Sequence, residues 1–161
     1  MSADARRVAV GSDMRHPVAD SITARLERDG CAVVRCGAVD GSATPWPDVA
    51  EQVARLVAGG AVDDGVVCCW TGTGVSIAAN KVPGIRAALC GDAETARGAR
   101  QWNDANVLAL SLRATSAAIA EEVVDAWLQT RQVDASERDN IAKVGEIERR
   151  YRERAVAHSV E

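Results

Sequence analysis

The 161-residue sequence carries 19 basic and 23 acidic side chains, a formal net charge of -4 and a pI near 5.3. That balance excludes the concentrated cationic footprint needed to neutralise nucleic-acid phosphates. Its length is that of one domain, able to bury about two thirds of the surface its unfolded chain exposes without a disulfide or metal staple.

No uninterrupted apolar stretch reaches membrane-spanning length, and residues 1–7 lack the apolar core of a secretory signal. Five cysteines, an odd number, read as reduced thiols. The expectation is a soluble cytoplasmic protein with neither nucleic acid nor membrane among its partners. In chain order, apolar runs rich in Val, Leu and Cys predict strands at 8–11, 32–36, 65–70, 86–90 and 107–111. Between and after them, segments of helical period predict helices at 17–29, stopped by Gly30; 47–58, stopped by Gly59-Gly60; 75–81; 93–102; and 116–129. This alternation predicts an α/β fold: a three-layer α/β/α sandwich around a five-stranded parallel Rossmann-like sheet. One domain spans 1–161, with its core at 7–130.

After a linker at 132–136, a polar helix at about 137–155 forms the body of a C-terminal extension at 137–157. It has no thick apolar face to lay on its own sheet, so it is expected to pack on a partner subunit in a homodimer or homotetramer. The alternative is a frayed, solvated end.

In open parallel sheets, ligands collect beyond the carboxyl ends of the strands. Three loops hold unusual residues: Gly11-Ser12-Asp13-Met14-Arg15-His16-Pro17, Cys69-Trp70-Thr71-Gly72-Thr73-Gly74-Val75-Ser76, and Trp102-Asn103-Asp104-Ala105-Asn106. In the second, two glycines amid hydroxyl residues let backbone N–H groups converge on an anion such as a phosphate or an enediolate oxygen. Gly-x-Gly alone marks a tight turn as readily as a binding site. Cys69, at the mouth of this loop, reads as a base of lowered pKa or as inert packing; Cys68, one step earlier in the strand, reads as core. No Cys-x-x-Cys or His cluster completes a metal site.

The stretch from Cys69 to Lys81, followed by Gly84-Ile85-Arg86-Ala87-Ala88, closely resembles the signature of the ribose-5-phosphate isomerase B and galactose-6-phosphate isomerase family. Gly11-Ser12-Asp13 and Asn103-Asp104-Ala105-Asn106-Val107-Leu108 resemble two further hallmarks, and the likeness spans about 7 to 128. The resemblance implies an aldose–ketose isomerase acting on a sugar phosphate through an enediolate, with no cofactor and no metal, in sites shared between subunits. It implies Cys69 as the proton-shuttling base and Thr71 as the group moving a proton between two oxygens. The amides of Gly72, Thr73, Gly74 and Val75, in a loop closed by Ser76, would hold the developing charge. Asp13 and Asn103 would bind hydroxyls and the enediolate, and Arg113 the phosphate.

Four residues depart from the pattern. Met14 and Trp102 stand where members commonly have histidine, Trp46 where they have Tyr, and Trp70 where they have Gly. An indole N–H is a donor only, so Trp102 cannot open a sugar ring by proton transfer, and an open-chain or short substrate is implied. The tryptophans read as core filler or as a reshaped pocket. His16 stands as a replacement base or a surface residue, Arg15 as a replacement charge or a solvated side chain. Arg138 and Lys143 are the nearest equivalents of the family's C-terminal arginines. These departures keep two alternatives open: an epimerase or tautomerase for a non-phosphorylated or aromatic-bearing substrate, and a non-catalytic subunit paired with an active paralogue.

Overall fold

The computed structural model describes residues 5–158, so the reading of residues 1–4 lies outside the described residues. Five strands, β1 (Arg7–Ser12), β2 (Ala32–Gly37), β3 (Asp64–Cys69), β4 (Ala87–Leu89) and β5 (Val107–Ser111), form one parallel sheet in the order β2-β1-β3-β5-β4. Every residue of β3 is buried, which is why its run after Asp64 is apolar without alternation.

Among the described residues five α-helices cover both faces, α1 (Pro17–Arg28), α2 (Trp46–Ala58), α3 (Thr73–Ala79), α4 (Ala93–Asn103) and α5 (Ala117–Gln129), and a sixth, α6 (Arg138–His158), extends off the sheet. Alternate strand residues feed two apolar clusters. Val8, Val10, Val66 and Leu108 pack with Ile22 and Leu26 of α1 and Trp127 of α5; Ala9, Val67 and Ala109 pack with Val53 of α2 and Val75 of α3. Together these form the expected three layers.

The differences from the sequence reading are local. β4 keeps three residues because the Arg86 N–H leaves the ladder for Asn106 Oδ1 at 2.8 Å. α3 starts two residues early, at Thr73, and stops at Ala79, while the Asn80 side chain bonds both N–H and C=O of Ala87. A 3-10 turn at Ala38–Asp40, which no periodicity announces, follows β2.

The amino ends of the strands are tied by a buried carboxylate. Asp64 is 1% exposed and accepts from Arg6 Nε at 2.5 Å and Arg100 Nη1 at 3.0 Å. The Arg100 guanidinium also donates to the carbonyls of Ala105 and Thr130 and lies 4.9 Å from the Trp127 ring centroid. Mostly polar, α6 bears on the body where Glu148 accepts the Gly84 N–H at 3.0 Å, and it leaves Val144, Ile147 and Tyr151 exposed.

Candidate active site

Because β1 turns toward β2 on one side while β3 lies on its other, the carboxyl ends of β1 and β3 flank the crevice where the connections diverge. The register sets Ser12 beside Cys68 and Cys69 beside Ser111, so the loops after β1, β3 and β5 leave the sheet level with one another. Ser12 is fully buried and donates to the Met14 carbonyl at 2.7 Å, which folds the first loop back on itself. The loop after β3 is fastened to that after β5: Leu112 N–H donates to Cys69 O at 3.0 Å, and Arg113 N–H to Trp70 O at 2.9 Å. Ser111 Oγ donates to Trp70 O at 3.0 Å and accepts the Ala114 N–H. Arg113 is thereby held, exposed, beside the glycine turn.

Gly72 takes φ +75 at the entry to α3. The first bond of that helix runs from Ser76 N–H to Gly72 O at 3.2 Å, so Thr73, Gly74 and Val75 have no carbonyl of their own helix to donate to. The Ser76 amide is therefore spent in the helix, which leaves its side-chain hydroxyl as what Ser76 can offer to the loop. The Val75 side chain is fully buried, leaving only its backbone to offer. Thr71 and Thr73 share a hydroxyl contact of 2.8 Å.

Cys69 is buried on the α2–α3 side of the sheet, in the cluster that contains Val75, and keeps 6% exposure. Cys68 points to the other face with none, and burial pushes its thiol up to about 12, with Cys69 and Asp13 adding to the rise. Asp13 is half-buried, and its Oδ1 is shut from solvent without a hydrogen-bond partner among the described residues. Desolvating a carboxylate oxygen in that way is costly unless a donor arrives.

The indoles take up different stations. Trp46, at the start of α2, lies over Gly74 so closely that a methyl group there would meet its ring at 3.0–3.3 Å. Half-exposed Trp70 meets His16 edge-on with ring centroids 6.5 Å apart. His16 caps α1, its Nδ1 accepting the Val18 N–H at 3.2 Å. Met14 is half-buried and packs against the α1–α5 cluster. Arg15 is exposed and reaches toward the turn at Gly41.

Three expected site residues lie elsewhere in the same chain. α4 runs back from the carboxyl pole, so Trp102 and Asn103 at its end sit at the amino pole, where Asn106 O accepts the N–H of Gly65 at the start of β3. Arg138 begins α6 at that same pole, just beyond Asp134, whose N–H donates to Gln101 O. A strand of five or six residues is about 17–20 Å long, so one protomer cannot bring these three to Cys69. Ser111 and Leu89, which shape the glycine turn, were not singled out in the sequence; a serine ending a buried strand is the one signal that pointed to the former.

The sequence profile of the family described as Ribose/Galactose Isomerase matches residues 8–144. The chain belongs to that family. It is 38% identical over 150 residues to ribose-5-phosphate isomerase B of Escherichia coli, covering 90% of this chain and 98% of that one. It is 34% identical over 143 residues to D-erythrulose-4-phosphate isomerase of Pectobacterium atrosepticum, covering 88% and 94%. The solved ribose-5-phosphate isomerase B of Clostridium thermocellum superposes with a TM-score of 0.83 at 39% identity, covering 90% and 99%. Membership makes this chain a sugar phosphate isomerase, by reaction type one that interconverts aldose and ketose. Among the described residues no helix is long and apolar enough to cross a membrane, and no group of three or more His, Cys, Asp or Glu is placed to hold a metal ion.

Proposed function

We propose that catalysis takes place in the crevice between β1 and β3, with Cys69 lifting a proton from one carbon of a sugar phosphate and returning it to the neighbouring carbon. Thr71 passes the hydroxyl proton between the two oxygens. The amides of Thr73, Gly74 and Val75 receive the charge of the enediolate, Asp13 binds a substrate hydroxyl, and Arg113 meets the phosphate. The observation that carries this reading is that the strand register brings to one level a cysteine that keeps 6% exposure, three first-turn amides without a helical acceptor, and a buried, unpartnered carboxylate oxygen. A base facing preorganised donors is the pairing that makes removal of a carbon-bound proton feasible. The transfer is internal and redox-neutral, so no cofactor enters its balance.

Trp102, Asn103 and Arg138 join the site from a second copy of the chain. Their distance from Cys69 within one protomer supports a homodimer or homotetramer with shared sites, as do the exposed Val144, Ile147 and Tyr151 of α6. We place the enzyme in the cytoplasm, where its five free thiols stay reduced.

Two variants test the scheme. Cys69→Ala is expected to abolish entry of solvent deuterium into the substrate, and undiminished exchange removes Cys69 from the mechanism. Mixed with Asn103→Ala after joint refolding, it should regain about a quarter of wild-type activity, because half the dimers then hold one intact site in two; no recovery refutes the shared site.

A further inference from the structure

We infer that the substrate is a sugar phosphate that cannot form a ring, an aldotetrose 4-phosphate and its ketotetrose. This rests on the isomerase reading above and deepens it. Starting from the aldose, a base removes the C2 proton and returns it to C1, and the O2 hydroxyl proton passes to O1, so nothing is gained or lost overall. That step starts only from the free aldehyde. An aldopentose 5-phosphate closes through its O4 hydroxyl to a furanose. Opening it requires a proton taken from the anomeric hydroxyl and another delivered to the ring oxygen. When the phosphate sits on O4 of a four-carbon chain, no hydroxyl is left to close a five-membered ring. Four carbons is the longest chain for which this holds in both aldose and ketose.

The described residues of the carboxyl-pole loops hold no spare acid–base pair for ring opening. His16 accepts the Val18 N–H at Nδ1, which puts the proton of its neutral ring on Nε2 and leaves it a donor only; protonating Nδ1 would cost the helix its cap. Both carboxylate oxygens of Asp92 are bonded to Thr95, at 2.7 Å and 2.8 Å. Asp40 lies exposed in the turn after edge strand β2. Cys36 and Cys90 are buried, and the Cys90 sulfur is turned to the Ala88 carbonyl. Trp46 and Trp70, together with Trp102 of the second copy, present indole N–H groups that donate and never accept. Of the buried and half-buried groups Cys69 and Asp13 remain, and the isomerisation already uses both; Asp20, Asp48 and Glu94, in the first turns of α1, α2 and α4 at the same pole, are exposed to solvent, and Glu94 is paired with Arg97. The sequence's other histidine, His158, is the last residue of α6.

The experiment compares D-erythrulose 4-phosphate with D-ribose 5-phosphate on the full chain. The expected kcat/KM is higher for the tetrulose phosphate by about a hundredfold or more, the contribution of a positioned proton-transfer group. With ribose 5-phosphate, the rate should cease to rise with enzyme concentration once spontaneous ring opening becomes limiting; with the tetrulose phosphate it should stay proportional. Trp102→His is expected to lift that plateau. Ribose 5-phosphate turnover that stays proportional to enzyme beyond the spontaneous opening rate, at a kcat/KM equal to or above that for the tetrulose phosphate, overturns the inference and leaves the isomerase reading standing. Absence of both turnover and deuterium exchange with either compound overturns the isomerase reading, and the inference with it.

Discussion

Replacing Gly72 with Ala separates two effects that usually arrive together. The residue has φ +75, and a Cβ there would lie 2.6 Å from Leu89 Cδ1, 2.8 Å from the Leu110 carbonyl carbon and 2.9 Å from the Ser111 nitrogen. The leucine tip can rotate away, but the two β5 backbone atoms cannot. Left-handed backbone costs an alanine about 1–2 kcal/mol, and forcing a methyl into occupied space adds about 1–3 kcal/mol. Gly60 supplies the control: its φ is +73, and nothing lies within 4 Å of its would-be Cβ. Gly60→Ala should therefore lose about 1–2 kcal/mol and Gly72→Ala about 2–5 kcal/mol, read from urea midpoints at unchanged m. At about 2.1 cal/mol/K per residue, a loss of about 3 kcal/mol lowers the Tm of a chain this long by about 9 °C. If the two variants agree within about 0.5 kcal/mol, the close approach of the glycine turn to β5 is wrong, and with it the placement of the anion loop.

Asp64→Asn strips the buried carboxylate from Arg6 and Arg100 and should destabilise the fold by about 3–5 kcal/mol in equilibrium unfolding, far more than the loss of an exposed ion pair such as Arg7–Asp63. The buried thiols predict an alkaline limb. Burial pushes Cys68 and Cys90 up to about 12 and Cys36 up to about 11, so the folded state holds these protons more tightly than the unfolded chain. Their stabilisation is complete below about pH 9 and is lost as pH climbs toward those folded values. Urea midpoints taken at pH 8 and pH 10.5 should fall less for Cys68→Ala than for the wild type, and equal slopes would contradict the assignment.

The five strands were legible because each is buried on both sides, which forces short apolar runs bounded by glycine or polar turns. The sequence gives no comparable signal for strand order. The swap that puts β5 inside β4 is set by which crossover packs beside which: α3 lies next to α2 on one face, and α4 next to α5 on the other. That swap does not alter which loops share a pole, because in any parallel sheet the helix that follows one strand returns the chain to the amino end of the next. The position of Trp102 was therefore readable in principle: it closes a helix and precedes a strand, whereas Trp70 follows one. Reading the tryptophans together as one reshaped pocket leaves out this direction of travel. The loop after β1 folds back through Ser12, which brings Met14, beside Asp13, against the core, and no periodicity reports such a hydroxyl-to-carbonyl bond.

The run Asn103-Asp104-Ala105-Asn106 reads in the sequence as one binding element, but its members have separate physical duties. Asp104 is the one described non-glycine residue with positive φ, at +50, a conformation that aspartate tolerates better than most. Arg86 holds it there, donating from Nε to the Asp104 carbonyl at 2.6 Å and from Nη2 to its carboxylate at 3.0 Å. Asn106 receives the Arg86 N–H and donates to Gly84 O, while the Gly84 N–H is taken by Glu148 of α6. Asp104 and Asn106 therefore fix the turn, and Trp102 and Asn103 are the exposed residues of the run that take no part in these bonds. The same chain of bonds joins α6 to that turn, so the helix that presents Val144, Ile147 and Tyr151 and the loop that presents Trp102 and Asn103 are braced by one polar network. In a shared-site dimer, docking of α6 and delivery of Asn103 then become a single event. Loosening Arg86 should weaken both together, whereas loss of the exposed Asn103 side chain should touch catalysis alone.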